Sequence, residues 1–400
     1  MANRRSRSQP ARNGTIIQYS TIKARLNPTP AQAGLFENTF GCCRYIWNRM
    51  LADQQRFYIE TGTHFIPTPA KYKKEAPFLK EVDNQALTQE HNKLSQAFRV
   101  FFKNPEHFGY PRFKRKKDDR DSFTACNHEF ESGPTIYITK DGIRMTKAGI
   151  VRAKFPRRPR NGWKLKRITV EKTRSGKYYA YILYEYAVKK PEPVIPTETT
   201  TAGLKYSMSH FYVADNGEMA DAPHWLKESQ EKLARMQKRL SRMEPGSKNY
   251  QEAVQKYREL HEHIANQRRD FIHKESSRIA NGWNAVCMRG DSMQEVSKKK
   301  VLPGNALDAG FGMFRECLRY KLARQGKPLI IVERYIPTTR TCSACGLILD
   351  GEAPYKKRLW RCPKCGAVHN REVNAAKNIK AQGLAQYFQY SDSQELRESA

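Results

Sequence analysis

Two Cys-x2-Cys pairs, Cys342-Cys345 and Cys362-Cys365, separated by sixteen residues, leave this chain fewer structural choices than any other feature. Each pair is followed at once by a glycine, Gly346 or Gly366, where the backbone has to turn sharply. Two such knuckles can present four thiolates to one tetrahedral zinc ion. Four sulfurs fill the coordination shell, so the metal expected here is structural Zn²⁺ with no open position for water. His369 lies close in sequence but is not needed as a ligand. The plainer alternative is two unrelated pairs of free thiols, and the spacing argues against it.

The remaining cysteines are 42, 43, 126, 287 and 317, making nine in all. An odd count with an adjacent pair does not match a secreted disulfide framework, so a reducing compartment is expected. Lys and Arg total 72 against 40 acids, a formal charge of +32 over 400 residues. Self-repulsion on that scale calls for a polyanion, and basic residues spread through most of the chain favour an extensive nucleic acid such as a structured RNA. No run approaches eighteen apolar residues, and no membrane partner is expected. Residues 1–15 read as a flexible basic arm without the apolar core of a secretory signal.

Along the chain, Ile16 to Leu26 alternates as a strand. Pro30 then opens a helical stretch to about Thr61, and a second helix runs from about Asn84 to Phe102. Residues 124–190 are β-rich, with a hairpin turn at Ser175-Gly176. Pro191, Pro193 and Pro196 mark a linker. A strand around Ser209 to Val213 leads to a turn at Asn216-Gly217, and a stripe from Leu226 to Met243 resumes after Glu244-Pro245-Gly246-Ser247, which predicts a helical hairpin over 222–280.

Several marks occur in a fixed order: Thr39-Phe40-Gly41-Cys42-Cys43-Arg44, Gly109 to Lys114, Gly203-Leu204, Asn266 to Lys274, the cysteine pairs, and Asn374-Ala375-Ala376-Lys377-Asn378. In this the chain resembles TnpB, the RNA-guided DNA nuclease of bacterial insertion sequences and a relative of type V CRISPR effectors. The resemblance covers roughly residues 16–383. It implies an α+β multidomain protein with a wedge-like β-barrel (16–30 and 119–190) interrupted by a helical recognition domain (31–118). A RuvC-like, RNase H-type α/β domain (191–333 and 367–383) with an inserted zinc ribbon (334–366) follows, then a C-terminal tail (384–400). The implied partners are a guide RNA and double-stranded target DNA carrying a short adjacent motif, with base pairing reading the sequence. A bacterial cytoplasmic, nucleoid-associated monomer is the expected setting.

A RuvC-like nuclease needs three carboxylates around two divalent metals. At the positions the resemblance assigns to them, this chain has Lys205, Arg289 and Glu372. Each acid-to-cation exchange removes a negative charge and adds a positive one, which repels Mg²⁺ and suits a phosphate. No catalytic residue and no catalytic Mg²⁺ are therefore expected, and the match is to the nuclease-inactive, TnpB-like repressors. The expectation is a non-enzymatic, RNA-guided DNA-binding protein that represses transcription by occupying its target. Two alternatives stand beside it: an active RNA-guided endonuclease using rearranged acids such as Asp291, Asp215 and Glu372, and a guide-independent zinc-ribbon factor. Asp291 would lie about 6.5–7 Å further along the strand than Arg289.

Candidate nucleic-acid contacts are Lys71, Lys73, Lys74, Gln85, Gln89 and Ser122 near the adjacent motif. For phosphate they are Lys114, Arg115, Lys116, Lys117 and Arg120, a basic run between Phe113 and Phe123. Such a run is otherwise simply a solvated face. Arg268, Arg269 and Lys274 either pack structurally or touch the heteroduplex.

Overall fold

The computed structural model describes residues 14–117, 121–207, 210–221, 224–290, 310–350 and 357–398, in two compact units that divide at Lys189 and Lys190. The basic arm up to Asn13, Arg120 and Asp291 lie outside the described residues.

In the first unit, β1 (Thr15–Asn27) leads into α1 (Pro30–Thr61), two 3₁₀ turns (Pro69–Lys73 and Pro77–Lys80) and α2 (Asn84–Lys103). Then come β2 (Ser122–Cys126), β3 (Glu129–Phe130), β4 (Gly133–Pro134), β5 (Tyr137–Ile138), β6 (Gly142–Met145), β7 (Gly149–Lys154), β8 (Lys164–Lys172) and β9 (Tyr178–Lys189). Helix α1 starts where the sequence places it because Thr29 and Gln32 cap each other, the threonine hydroxyl accepting from the Gln32 N–H and the Gln32 carboxamide from the Thr29 N–H at 3.0 Å. It stops at Gly62, whose φ of 68° is left-handed.

Seven strands pair in the order β2-β8-β9-β1-β7-β6-β5. Ile22, Ala24 and Leu26 of β1 are buried with Ala180, Ile182 and Tyr184 of β9 and with Ile168 and Val170 of β8. Intervening residues point the other way, as period-two alternation requires. Phe36, Phe40 and Cys43 of α1 and Ala86 of α2 complete this core. The barrel expectation is corrected here: among the described residues no pairing joins β2 to β5, and the sheet stays open. A two-residue β5 offers too little ladder to close it, and the apolar face is covered by helices instead.

The second unit holds β10 (Thr201–Tyr206), β11 (Tyr212–Ala214), β12 (Met219–Ala220), α3 (His224–Leu240), α4 (Lys248–Gly282), β13 (Ala285–Arg289), α5 (Phe311–Ala323), β14 (Leu329–Val332), β15 (Leu359–Arg361), β16 (Val368–Asn370) and α6 (Arg371–Glu398). Helices α3 and α4 pack together across the Glu244–Ser247 break, where the Ser247 hydroxyl caps Tyr250 N–H at 3.1 Å. The strand expected at Ser209 to Val213 is described only as Tyr212–Ala214. Helix α6 runs on through the stretch expected as a tail.

Five strands pair in the order β12-β11-β10-β13-β14, with β10, β13 and β14 parallel. Ala285 to Met288 are all buried, because both faces of a parallel sheet are covered. Ile272, Ile279, Phe314 and Leu318 of α4 and α5 pack on one face, and Ile379 of α6 packs with Cys287 and Val332 on the other. Two glycines set the approach of α6. A Cβ on Gly203 would meet the Ala376 carbonyl oxygen at 2.2 Å, and one on Gly383 would meet Cys287 Sγ at 2.4 Å.

Candidate metal centre and strand-end site

The knuckles of the cysteine cluster repeat one backbone pattern. Cys342 N–H donates to the Leu347 carbonyl at 2.8 Å and Gly346 N–H returns to the Cys342 carbonyl at 2.9 Å. Cys362, Ala367 and Gly366 do the same at 2.9 and 3.0 Å. Gly346 and Gly366 have φ of 74° and 72°, which is the reason each knuckle ends in glycine. The four Sγ atoms lie within 4.8 Å of one another, with Cys342–Cys365 and Cys345–Cys362 at 3.7 Å. Zn–S bonds of about 2.3 Å in a tetrahedron place sulfurs about 3.8 Å apart, so the cluster can hold a zinc ion. Backbone N–H groups of Cys365 and Lys364 pull the Cys362 thiol down to about 6, toward the thiolate a metal needs. His369 Nε2 stands 3.1 Å from Cys342 Sγ and its ring packs on Trp360, so it supports the cluster from behind.

Helix α6 is tied to the first knuckle by its asparagines. Asn374 accepts from Ser343 N–H at 2.9 Å and donates to the Thr341 carbonyl at 2.8 Å. Asn378 donates to the carbonyls of Thr338 and Thr341 at 2.8 and 2.7 Å. Between them, Ala375 and Ala376 are fully buried, and Ala376 is the neighbour that requires Gly203. The Asn-Ala-Ala-Lys-Asn segment therefore joins ribbon, helix and first strand.

The three positions singled out in sequence come together at the carboxyl ends of the parallel strands, where open α/β sheets bind their ligands. Leu204 pairs with Met288, so Lys205 and Arg289 follow side by side on β10 and β13. Glu372 enters from the first turn of α6, and its carboxylate forms an ion pair with Lys205 Nζ. Arg371 reaches the other Glu372 oxygen at 3.2 Å. Arg289 donates to the Arg334 carbonyl. Asp215, one of the acids considered for a rearranged site, is committed elsewhere: it accepts from Gly203 N–H at 2.8 Å and pairs with Lys380 at 2.9 Å.

Of the expected nucleic-acid contacts, Lys114 turns inward. Its ammonium sits 2.9 Å from the fully buried carboxylate of Glu90, which Lys93 also meets at 2.6 Å, and 4.4 Å from the Trp47 ring centre. Asn48 holds the Lys114 backbone from both sides, at 2.8 and 3.0 Å. Arg115, Lys116 and Lys117 follow it at the surface. Lys71 pairs with Asp53 at 2.7 Å, Lys73 bonds Asn84 at 2.8 Å, and Lys74 is exposed. Gln85 is half-buried at the start of α2, and Gln89 faces an open groove with Asn92, Gln96 and Arg167. Ser122 begins β2. On α4, Arg268 lies half-buried, Arg269 is exposed, and Lys274 pairs with Asp270 at 2.7 Å.

One basic surface escaped the sequence reading. On the outer face of the first unit's sheet, Lys23 stands 3.9 Å from the Tyr179 ring centre and Arg25 5.1 Å from it, with Tyr181 opposite Lys23. The signal was available in the two-residue spacing of Lys23 and Arg25 within a strand, read against the tyrosines at 179 and 181.

The second unit thus combines a mixed sheet with cations at its strand ends and a four-cysteine cluster tied to its last helix. Three family models match: "Cas12f1-like, TNB domain" over residues 311–379, "Probable transposase" over 181–287, and "Helix-turn-helix domain" over 19–63. The last stretch folds here as β1 and a single helix. A Streptomyces pristinaespiralis protein provisionally named an RNA-guided DNA endonuclease is 30% identical over 376 residues, covering 91% of this chain and 89% of that protein. InsQ of Escherichia coli K12, with the same provisional name, is 28% identical over 92% of this chain and 93% of its own length. A solved Cas12f1–sgRNA–target DNA complex aligns with a TM-score of 0.48 at 13% identity, covering 92% of this chain and 99% of that one. The chain belongs to the TnpB family of insertion-sequence proteins.

Membership corrects one expectation. The chain was expected to be no enzyme, yet its relatives over nine-tenths of its length are named endonucleases, and that finding overturns the expectation. Lys205 and Arg289 define the charge of the strand ends; they do not by themselves remove the chain from that activity. Among the described residues, no helix is long and apolar enough to cross a membrane.

Proposed function

We propose that this chain binds a guide RNA and uses it to hold a matching DNA duplex, acting on transcription through occupancy of that target. The observation that carries the proposal is the strand-end cluster. Lys205 and Arg371 meet one carboxylate, Glu372, and Arg289 follows beside Lys205 on the neighbouring parallel strand, where such a sheet presents its ligand site. Net positive charge there suits a phosphodiester backbone. The names of the family relatives support guide RNA and DNA as the ligands. In this reading the second unit has a RuvC-like layout, the four cysteines hold a structural zinc, and a bacterial host would keep the protein at its nucleoid.

The test starts by sequencing the RNA that co-purifies with the protein. That RNA, the protein, Mg²⁺ and a duplex matching its variable end are then combined, and retained and cut DNA are measured together. Retention that depends on the matched guide is the expected result. Retention indifferent to the guide would make the chain a guide-independent binder. A guide-dependent cut would show that it acts as its relatives are named.

A further inference from the structure

Helix α2 lays Ser95, Phe98, Arg99 and Phe102 along one face, and the segment from His64 to Ile66 crosses over it. Together they line an open cavity of about 380 Å³. Phe98 forms its floor and is 1% exposed, whereas Phe65 and Phe102 at its sides are 52% and 55% exposed. The His64 ring closes one wall, 4.6 Å from Phe98 and 5.3 Å from Phe102 between ring centres.

The polar groups of this cavity are oriented. Tyr110 donates its hydroxyl to Gln54 Oε1 at 2.9 Å, which turns the Gln54 amide nitrogen toward His64 Nδ1 at 3.0 Å. Nδ1 therefore accepts, and the ring proton sits on Nε2. Burial also holds the His64 imidazole below its ordinary range, in the neutral form. The site offers exposed aromatic faces, an imidazole N–H, the Ser95 hydroxyl, and the Arg99 guanidinium exposed at the rim.

A purely apolar occupant would cover the phenylalanines and leave the donors unmatched. A nucleobase has a π-face for the rings and acceptors on its edge, and its phosphate would meet Arg99. We propose that this cavity receives one unstacked nucleobase of a single-stranded nucleic acid, with its ring against Phe102 and its phosphate on Arg99. The proposal rests on the nucleic-acid reading above, and RNA and DNA are the two possible sources of the base.

Full-length protein, stripped of bound RNA, is titrated with a uridine-only RNA oligonucleotide carrying 4-thiouridine and with its thymidine DNA counterpart, then irradiated. Cross-links on the peptides holding His64 to Ile66 or Phe98 to Phe102 are expected, and the stronger arm names the strand. Phe102→Ala lowers that affinity roughly tenfold, Phe102→Trp restores it, and Arg99→Ala flattens its salt dependence. Phe102 is half-exposed and packs on His64, Phe98 and Phe101, and the tryptophan variant separates stacking from misfolding. Wild-type binding with cross-links only elsewhere, or unchanged in Phe102→Ala, overturns the cavity proposal and leaves nucleic-acid binding standing. Failure of the wild type to bind either oligonucleotide also overturns the cavity proposal, whereas the guide reading falls only if no discrete RNA co-purifies.

Discussion

Cys362 and Glu372 are near neighbours in sequence, one directly after β15 and one in the first turn of α6, yet they belong to sites built in opposite ways. The cysteine cluster takes its ligands from two short knuckles with the same internal hydrogen bonds, so each half is determined locally. The strand-end cluster takes Lys205, Arg289 and Glu372 from two strands and a helix, and its ion pair spans 167 positions. Four like ligands converge in the first, and only a metal cation relieves their mutual repulsion as thiolates. Two carboxylates on or beside the second already have a lysine: Glu372 has Lys205 and Asp215 has Lys380. The first therefore calls for a cation and the second is partnered from within the protein.

The largest effect that could break this contrast is at the cysteines. Cys362→Ser should abolish zinc retention measured by elemental analysis, with a loss on the order of 10 kcal/mol in the folding of the ribbon; an unchanged melt and zinc content would refute a metal centre. Next comes Gly203→Ala, which forces a methyl group against the Ala376 carbonyl and should cost about 3 kcal/mol in urea unfolding. Asp215→Ala leaves Gly203 N–H and Lys380 without their acceptor, for about 2 kcal/mol. If Asp215 is structural, that variant leaves Mn²⁺ binding unaltered.

Two smaller effects sharpen the strand-end side. Replacing Lys205 by Asp together with Arg289 by Glu places two new carboxylates beside Glu372, and calorimetry should show Mn²⁺ affinity rising about tenfold or more. No rise would mean that charge alone does not decide metal entry. Glu372→Gln should cost about 1–2 kcal/mol in urea unfolding, because Lys205 and Glu372 are only 20% and 16% exposed and the amide leaves Lys205 without an anionic partner.

Sequence and structure divide along the same line. The knuckles, the Thr29 cap, the Ser175-Gly176 turn and the helical break at Glu244 were legible because each is decided within a few residues. The open sheet was not, since a strand's alternation names its buried face but leaves its edges undetermined. Lys114 shows the limit most plainly. In sequence it opens a basic run, and only the fold brings buried Glu90 beneath it and turns one member of that run into an interior partner. Lys23 and Tyr179 went unpaired in the reading for the same reason, as their register depends on which strands meet.

The sequence by itself determined the family, the charge and the four-sulfur ligand set, because these depend on residue identity and short spacing. Only the tertiary structure decided which charges face each other, and so which acids and lysines are already spent on one another, because ion pairing falls off over a few ångströms and those distances are set by packing. The approach of α6 to Gly203 is the clearest case: one missing Cβ on the first strand lets a helix from the far end of the chain deliver Glu372 to Lys205.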